Sequence, residues 1–171
     1  MRAQLTPKNL KVGQILYYVS TYTDDDDGKT EIDLQEYQIR SIKKKRGSQT
    51  KNGRAYFVEK WKRSDTVYVN MTRRVTLVTI DKKTGQWLKS IPKWMVEKFD
   101  RDSERLPSGY YTTPEAAFKY CIHSLEEDLK QAKLPKEKRT MIVFDPIEVI
   151  EKELRLCKAR LTKFKNKKAK K

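Results

Sequence analysis

Ser41-Ile42-Lys43-Lys44-Lys45-Arg46-Gly47 opens the stretch whose reading decides the fold. From residue 43 to 93 the apolar residues recur at every second position, and Lys and Arg crowd the places between them. Alternation of that kind marks strands with one face packed and one face wet. Four strands are predicted within it: Tyr56-Phe57-Val58-Glu59-Lys60-Trp61, Thr66-Val67-Tyr68-Val69-Asn70, Val75-Thr76-Leu77-Val78-Thr79-Ile80 and Gln86-Trp87-Leu88-Lys89-Ser90-Ile91. The breaks between them carry turn chemistry. Residues 47–53 form a polar, basic loop ending in Asn52-Gly53, and Asp81-Lys82-Lys83-Thr84-Gly85 reads as a hairpin turn.

Working outward, Leu10 to Ser20 reads as a first strand rich in β-branched and aromatic residues, and Glu36 to Ile42 as a second. Between them stands Asp24-Asp25-Asp26-Asp27-Gly28. Asp-rich loops supply oxygen ligands to cations, but EF-hand spacing is absent here, so the stretch is read as a solvated loop tip. Pro92 to Phe99 fits either a short helix or a last strand. Short strands separated by frequent turns argue for a small antiparallel barrel rather than a βαβ fold.

Two helices are predicted after a charged linker over Asp100 to Gly109. Thr113 caps the first, with Pro114 and Glu115 in its opening turn. Phe118, Ile122, Leu125 and Leu129 make its stripe, with Ala117 and Cys121 beside it, and it stops near Lys133, before Pro135. Asp145-Pro146-Ile147-Glu148 starts the second, with the carboxylate as cap, Pro in the first helical position, and Phe144 against Val149 as a hydrophobic staple. Its seam is Ile147, Ile150, Leu154, Cys157, Leu161 and Phe164. Seams of this kind pack on a neighbouring helix of the same chain, and this one also suits a homodimer through Ile147, Ile150, Leu154, Cys157 and Leu161. The helix is expected to fray from Lys165 into a basic tail. The fold expected is therefore α+β: a small antiparallel SH3-like β barrel over residues 1–99, a helical region packed on or beside it over 100–164, and a disordered basic tail over 165–171.

Charge is distributed unevenly along this plan. Residues 43–94 hold 15 Lys and Arg against 3 Asp and Glu, whereas residues 1–42 and 95–157 are each slightly acidic. Residues 158–171 hold 8 bases and no acid. The net charge of +16 thus sits in the strand-rich middle and the C-terminal end. Such concentration points to a polyanionic partner. Lys60 and Lys62 share one strand face while Trp61 takes the other, so ammonium groups are set to meet successive phosphates. The candidate nucleic-acid-binding residues are Lys43, Lys44, Lys45, Arg46, Lys51, Arg54, Lys60, Lys62, Arg63, Arg73, Arg74, Lys163, Lys165, Lys167 and Lys168. Tyr56, Trp61 and Tyr68 interleave with them; read as core residues rather than stacking platforms, they favour duplex over single-strand binding.

Other classes of function find little support in the residues. The single histidine, His123, falls on the first helix as a surface or half-buried residue. There is no GxSxG, P-loop, HExxH or CxxC motif. Cys121 and Cys157 lack metal-ligand spacing and read as core thiols of a cytoplasmic protein. No apolar run approaches the length of a membrane span, and Met1-Arg2-Ala3-Gln4-Leu5 lacks a signal-peptide core. Neither catalysis, a cofactor nor a metal is expected.

Lys11 to Val19, Tyr37 to Ile42 and Tyr56-Phe57-Val58 together resemble small SH3-like or KOW-type barrels of bacteriophage proteins, and Tyr110 to Ala117 resembles the helix that follows such a barrel. In character the chain is similar to the MotB-type early proteins of T4-type phages. That resemblance implies DNA binding without sequence preference, a nucleoid-associated role, an effect on transcription, and residence in a bacterial host cytoplasm. It supplies no binding positions. The function expected is sequence-nonspecific binding of double-stranded DNA through the basic barrel face and tail. Structured RNA, or an acidic host protein docked on the same patch, stands as the alternative.

Overall fold

The computed structural model describes residues 6–44, 67–74 and 96–169. They form an α+β arrangement: four strands, β1 (Ile15–Thr23), β2 (Thr30–Lys44), β3 (Val67–Arg73) and β4 (Val96–Asp100), then two helices, α1 (Pro114–Ala132) and α2 (Ile147–Ala169). The sheet order is β1-β2-β3-β4, with β2–β3 and β3–β4 antiparallel. The strands predicted over 56–61, 75–80 and 86–91, and the turns at 47–53 and 81–85, lie outside the described residues. No helix among the described residues is long and apolar enough to cross a membrane. By packing, the chain divides into two compact units, one of Met1–Ile15 with Tyr37–Pro107, the other of Leu16–Glu36 with Ser108–Lys171. Strand β2 runs through the boundary between them.

In the first unit, the first strand does not begin at Leu10 as its composition implies. Pro7–Asn9 form a 3-10 turn, Leu10 N donates to Pro7 O, and Gly13 turns the chain at φ +88°. Only glycine takes that conformation without strain. Ile39 then exchanges hydrogen bonds with residues 13 and 14 on one side and pairs with Met71 on the other. Ile39 and Ile42 are three residues apart, so a regular strand would point them to opposite faces. A bulge at Arg40 resolves this: Ile39 pairs with Met71, Ser41 with Asn70 and Ile42 with Val69, placing both isoleucines on the face of Met71 and Val69. Ile39, Val69 and Met71 are fully buried. The displaced Arg40 donates from Nε to Oγ1 of buried Thr72 at 2.9 Å. Residues 96–100, which fitted helix or strand, are a strand.

The second unit is a hairpin packed on two helices. Val19 of β1 and Ile32 of β2 join Ala117, Phe118, Cys121 and Leu125 of α1 and Ile150, Cys157 and Leu161 of α2 in one core. Strand β2 starts six residues before the predicted Glu36, because Ile32 and Leu34 alternate with Glu31, Asp33 and Gln35. The Asp24–Asp27 segment is the hairpin tip. Asp24 Oδ1 accepts from Asp26 N and Asp27 N, and Asp27 Oδ1 from Lys29 N, so two of the four carboxylates brace their own turn.

Helix α1 begins as expected: Thr113 is extended and its Oγ1 accepts from Ala116 N. At the other end Arg139 donates to the carbonyls of Ala132 and Leu134, two groups that no helical turn satisfies. Helix α2 departs from expectation at both ends. Pro146 O accepts from Val149 N and Ile150 N, so Ile147 rather than Pro146 is the first helical residue. Phe144 is 89% exposed, so no staple with Val149 forms. At the C-terminal end the helix does not fray at Lys165 but continues to Ala169. Lys and Ala are strong helix formers, so loss of apolar residues there does not end the helix.

One buried acid links the hairpin to α2. Glu153 is 6% exposed and accepts from the Thr23 hydroxyl at 2.9 Å, which also lies 2.9 Å from Thr30 Oγ1. Thr23→Val removes that donor from a buried carboxylate and is expected to cost about 1–2 kcal/mol by urea denaturation. Combining it with Glu153→Gln should recover part of the loss, because the group left without its partner then carries no charge. Near Glu153, Cys121 and Cys157 are both free and buried. The hydrogen bond to Cys157, together with burial, pushes the Cys121 thiol up, which keeps it protonated and inert.

Candidate nucleic-acid interface

The candidate residues fall at three places in the described chain. Lys43 and Lys44 end β2, opposite Tyr68 and Val67. Arg73 ends β3 at its far end, opposite Tyr37, and Arg74 follows it. Arg73 lies five positions along β3 from Tyr68, the partner of Lys43, a distance of roughly 15–20 Å. Strand alternation also gives them opposite faces, because Lys43 shares the face of Tyr68 while Arg73 has the parity of Met71 and Val69. Lys43 and Arg74 are exposed and Arg73 half-buried. The ladder thus does not gather these ends into one patch. Lys45, Arg46, Lys51, Arg54, Lys60, Lys62 and Arg63 lie outside the described residues.

The third place is the C-terminal half of α2, where helical geometry sorts a uniformly basic sequence into two faces. Lys158 and Lys165, seven residues apart, look toward α1. Lys158 Nζ is 2.7 Å from Glu126 Oε1, and Lys165 Nζ is 3.8 Å from Glu115 Oε1, which Lys119 also approaches at 3.0 Å. These exposed pairs contribute little to stability, but they neutralise that face. Arg160, Lys163 and Lys167 occupy another stripe, at spacing i, i+3, i+7, and are exposed. None of the three has an ion-pair partner among the described residues. Lys168 belongs to the same helix.

Arg160 was not among the sequence candidates, although its spacing from Lys163 and Lys167 is readable once a helix is assumed. What no spacing reveals is the surface beside it. Leu34 of β2, Phe118 of α1 and Phe164 of α2 line a groove of about 360 Å³ whose rim is Arg160, Lys163 and Lys167. Phe118 is buried and Phe164 half-buried, with ring centroids 6.4 Å apart. His123 is exposed on α1, and among the described residues no three His, Cys, Asp or Glu side chains converge as metal ligands. Comparison with protein-family models, with curated proteins and with solved structures found no match to this chain.

Proposed function

We propose that this chain binds double-stranded DNA without sequence preference, through phosphate contacts from Lys and Arg side chains on its basic strands and on α2. The observation that carries the reading is the stripe of Arg160, Lys163 and Lys167, which has no ion-pair partner among the described residues and stands beside a face of the same helix whose lysines are neutralised by α1. Three exposed cations with no ion-pair partner among the described residues repel one another, and a polyanion relieves that repulsion. The 15-to-3 excess of bases over acids across residues 43–94 supports the same partner. On this reading the strands belong to a small SH3-like barrel, and the protein is a non-enzymatic, nucleoid-associated factor of phage type that works in a bacterial cytoplasm.

Fluorescence anisotropy of the full chain on a random-sequence duplex of about three helical turns tests the reading. Neutralising about six phosphates should make affinity fall roughly a thousandfold between about 50 and about 200 mM salt. Replacing Arg160, Lys163 and Lys167 with Ala should lower the log–log salt slope by about 2–3, close to 0.9 for each phosphate contact removed. Absence of binding at the lowest salt overturns the DNA reading. A tighter, competing complex with duplex RNA would assign the interface to structured RNA instead.

A further inference from the structure

The groove beside α2 has a composition that a duplex backbone does not call for. Phosphates and sugars gain from the cations on its rim, but they have no use for an apolar floor. Its volume of about 360 Å³ lies at the small end of the range for ligand sites. Of the two rings in the floor, Phe118 is 3% exposed and serves as backing, while Phe164 is the ring reachable from outside. Their planes are tilted by 41°, so packing on Phe118 holds the Phe164 ring in place. Arg160, Lys163, Phe164 and Lys167 follow one another at i, i+3, i+4 and i+7 on a single helical stripe. The outer two cations are roughly 10 Å apart along the axis, with the phenyl ring between them. A ligand that complements this arrangement is flat and apolar in the middle and anionic on both sides.

We propose that this groove binds one unpaired nucleotide of a single strand, its base packed on the Phe164 ring and its two flanking phosphates held by Arg160, Lys163 and Lys167. The inference rests on the nucleic-acid reading above and sharpens it. Because every base offers a π face, such a site tolerates any sequence, and it draws the protein to gapped, frayed or single-stranded segments over fully paired ones.

The test compares labelled oligothymidine, oligouridine and a fully paired duplex on the full chain at one salt concentration. Phe164→Ala should weaken single-strand binding about tenfold and leave duplex affinity and its salt slope unchanged. Phe164→Tyr should keep wild-type affinity, and Phe164→Leu, which preserves apolar packing on Phe118, should lose as much as Phe164→Ala. The oligonucleotide bound more tightly identifies the strand as DNA or RNA. If Phe164→Leu binds single strands as the wild type does, or if Phe164→Ala weakens duplex binding equally, the base site is refuted while DNA binding stands. If no nucleic acid binds at low salt, both readings fall. If an acidic peptide with regularly spaced Leu residues displaces no strand yet binds in a Phe164-dependent manner, the groove belongs to a protein partner and the proposal is overturned.

Discussion

Ile150→Ala is expected to destabilise the protein by about 2–4 kcal/mol, read as a shift in the urea midpoint at unchanged slope. Ile150 is 2% exposed and stands in the core that joins α1, α2 and the β1–β2 hairpin. Removing three carbons from such a position loses their transfer free energy and leaves a cavity that rigid neighbours fill only in part. The better helix propensity of Ala returns a few tenths of a kcal/mol, too little to change the sign. Ile142→Ala and Phe144→Ala are the controls. Ile142 is 77% exposed and Phe144 89%, so each change should stay within about 0.5 kcal/mol. A loss of more than 2 kcal/mol at Phe144, or of less than 1 at Ile150, would contradict the packing described.

Gly109→Ala should cost about 2–4 kcal/mol, from two separate sources. The backbone at Gly109 has φ +85°, where an L side chain is strained by about 1 kcal/mol or more. A Cβ there would also stand 2.5 Å from Cε2 and 2.8 Å from Cδ2 of Tyr18. That ring is held against Tyr110, with centroids 5.2 Å apart, so it yields only by disturbing a second ring. The strain falls next to the paired hydrogen bonds between Tyr17 and Tyr111, and faster amide exchange at both residues should accompany the loss of stability. Gly28→Ala separates the two sources. Gly28 also has positive φ, at +63°, but nothing lies within 4 Å of an added Cβ, so only the backbone cost of about 1 kcal/mol is expected. Equal losses at the two glycines would show that the Tyr18 contact costs nothing.

Much of the helical half was legible in the residues because its signals are local. Thr113-Pro114-Glu115 fixes the start of α1 through groups within one turn, and the period of Phe118, Leu125 and their neighbours fixes its buried face. The same locality explains the errors. Asp145-Pro146-Ile147-Glu148 has the composition of a cap, but whether Phe144 folds back on Val149 depends on what else those side chains can touch. The reading of residues 36–42 as a regular alternating strand missed the bulge at Arg40, because pairing with β3 makes it necessary and β3 is distant in sequence. The start of β2 was missed although Ile32 and Leu34 alternate with polar residues, since acidic strands score poorly on propensity alone.

The candidate site divides along the same line. By itself the sequence determined the net charge, its concentration in residues 43–94 and 158–171, the existence and apolar faces of both helices, and the turn at the Asp24–Asp27 tip. These follow from composition and from periods that the backbone geometry imposes on any chain. Only the tertiary structure decided which of the C-terminal cations are neutralised. Lys158 and Lys165 differ from Lys163 and Lys167 in nothing but their angle around α2, and that angle acquires meaning only once α1 brings Glu115 and Glu126 to one side of it. Likewise Phe164 is one more seam residue until Leu34, far away in the chain, arrives beside it and makes a groove with a cationic rim. Charge is a property of residues, but a charge left without an ion-pair partner among the described residues, beside a half-buried ring, is a property of distances between segments, which local sequence does not set.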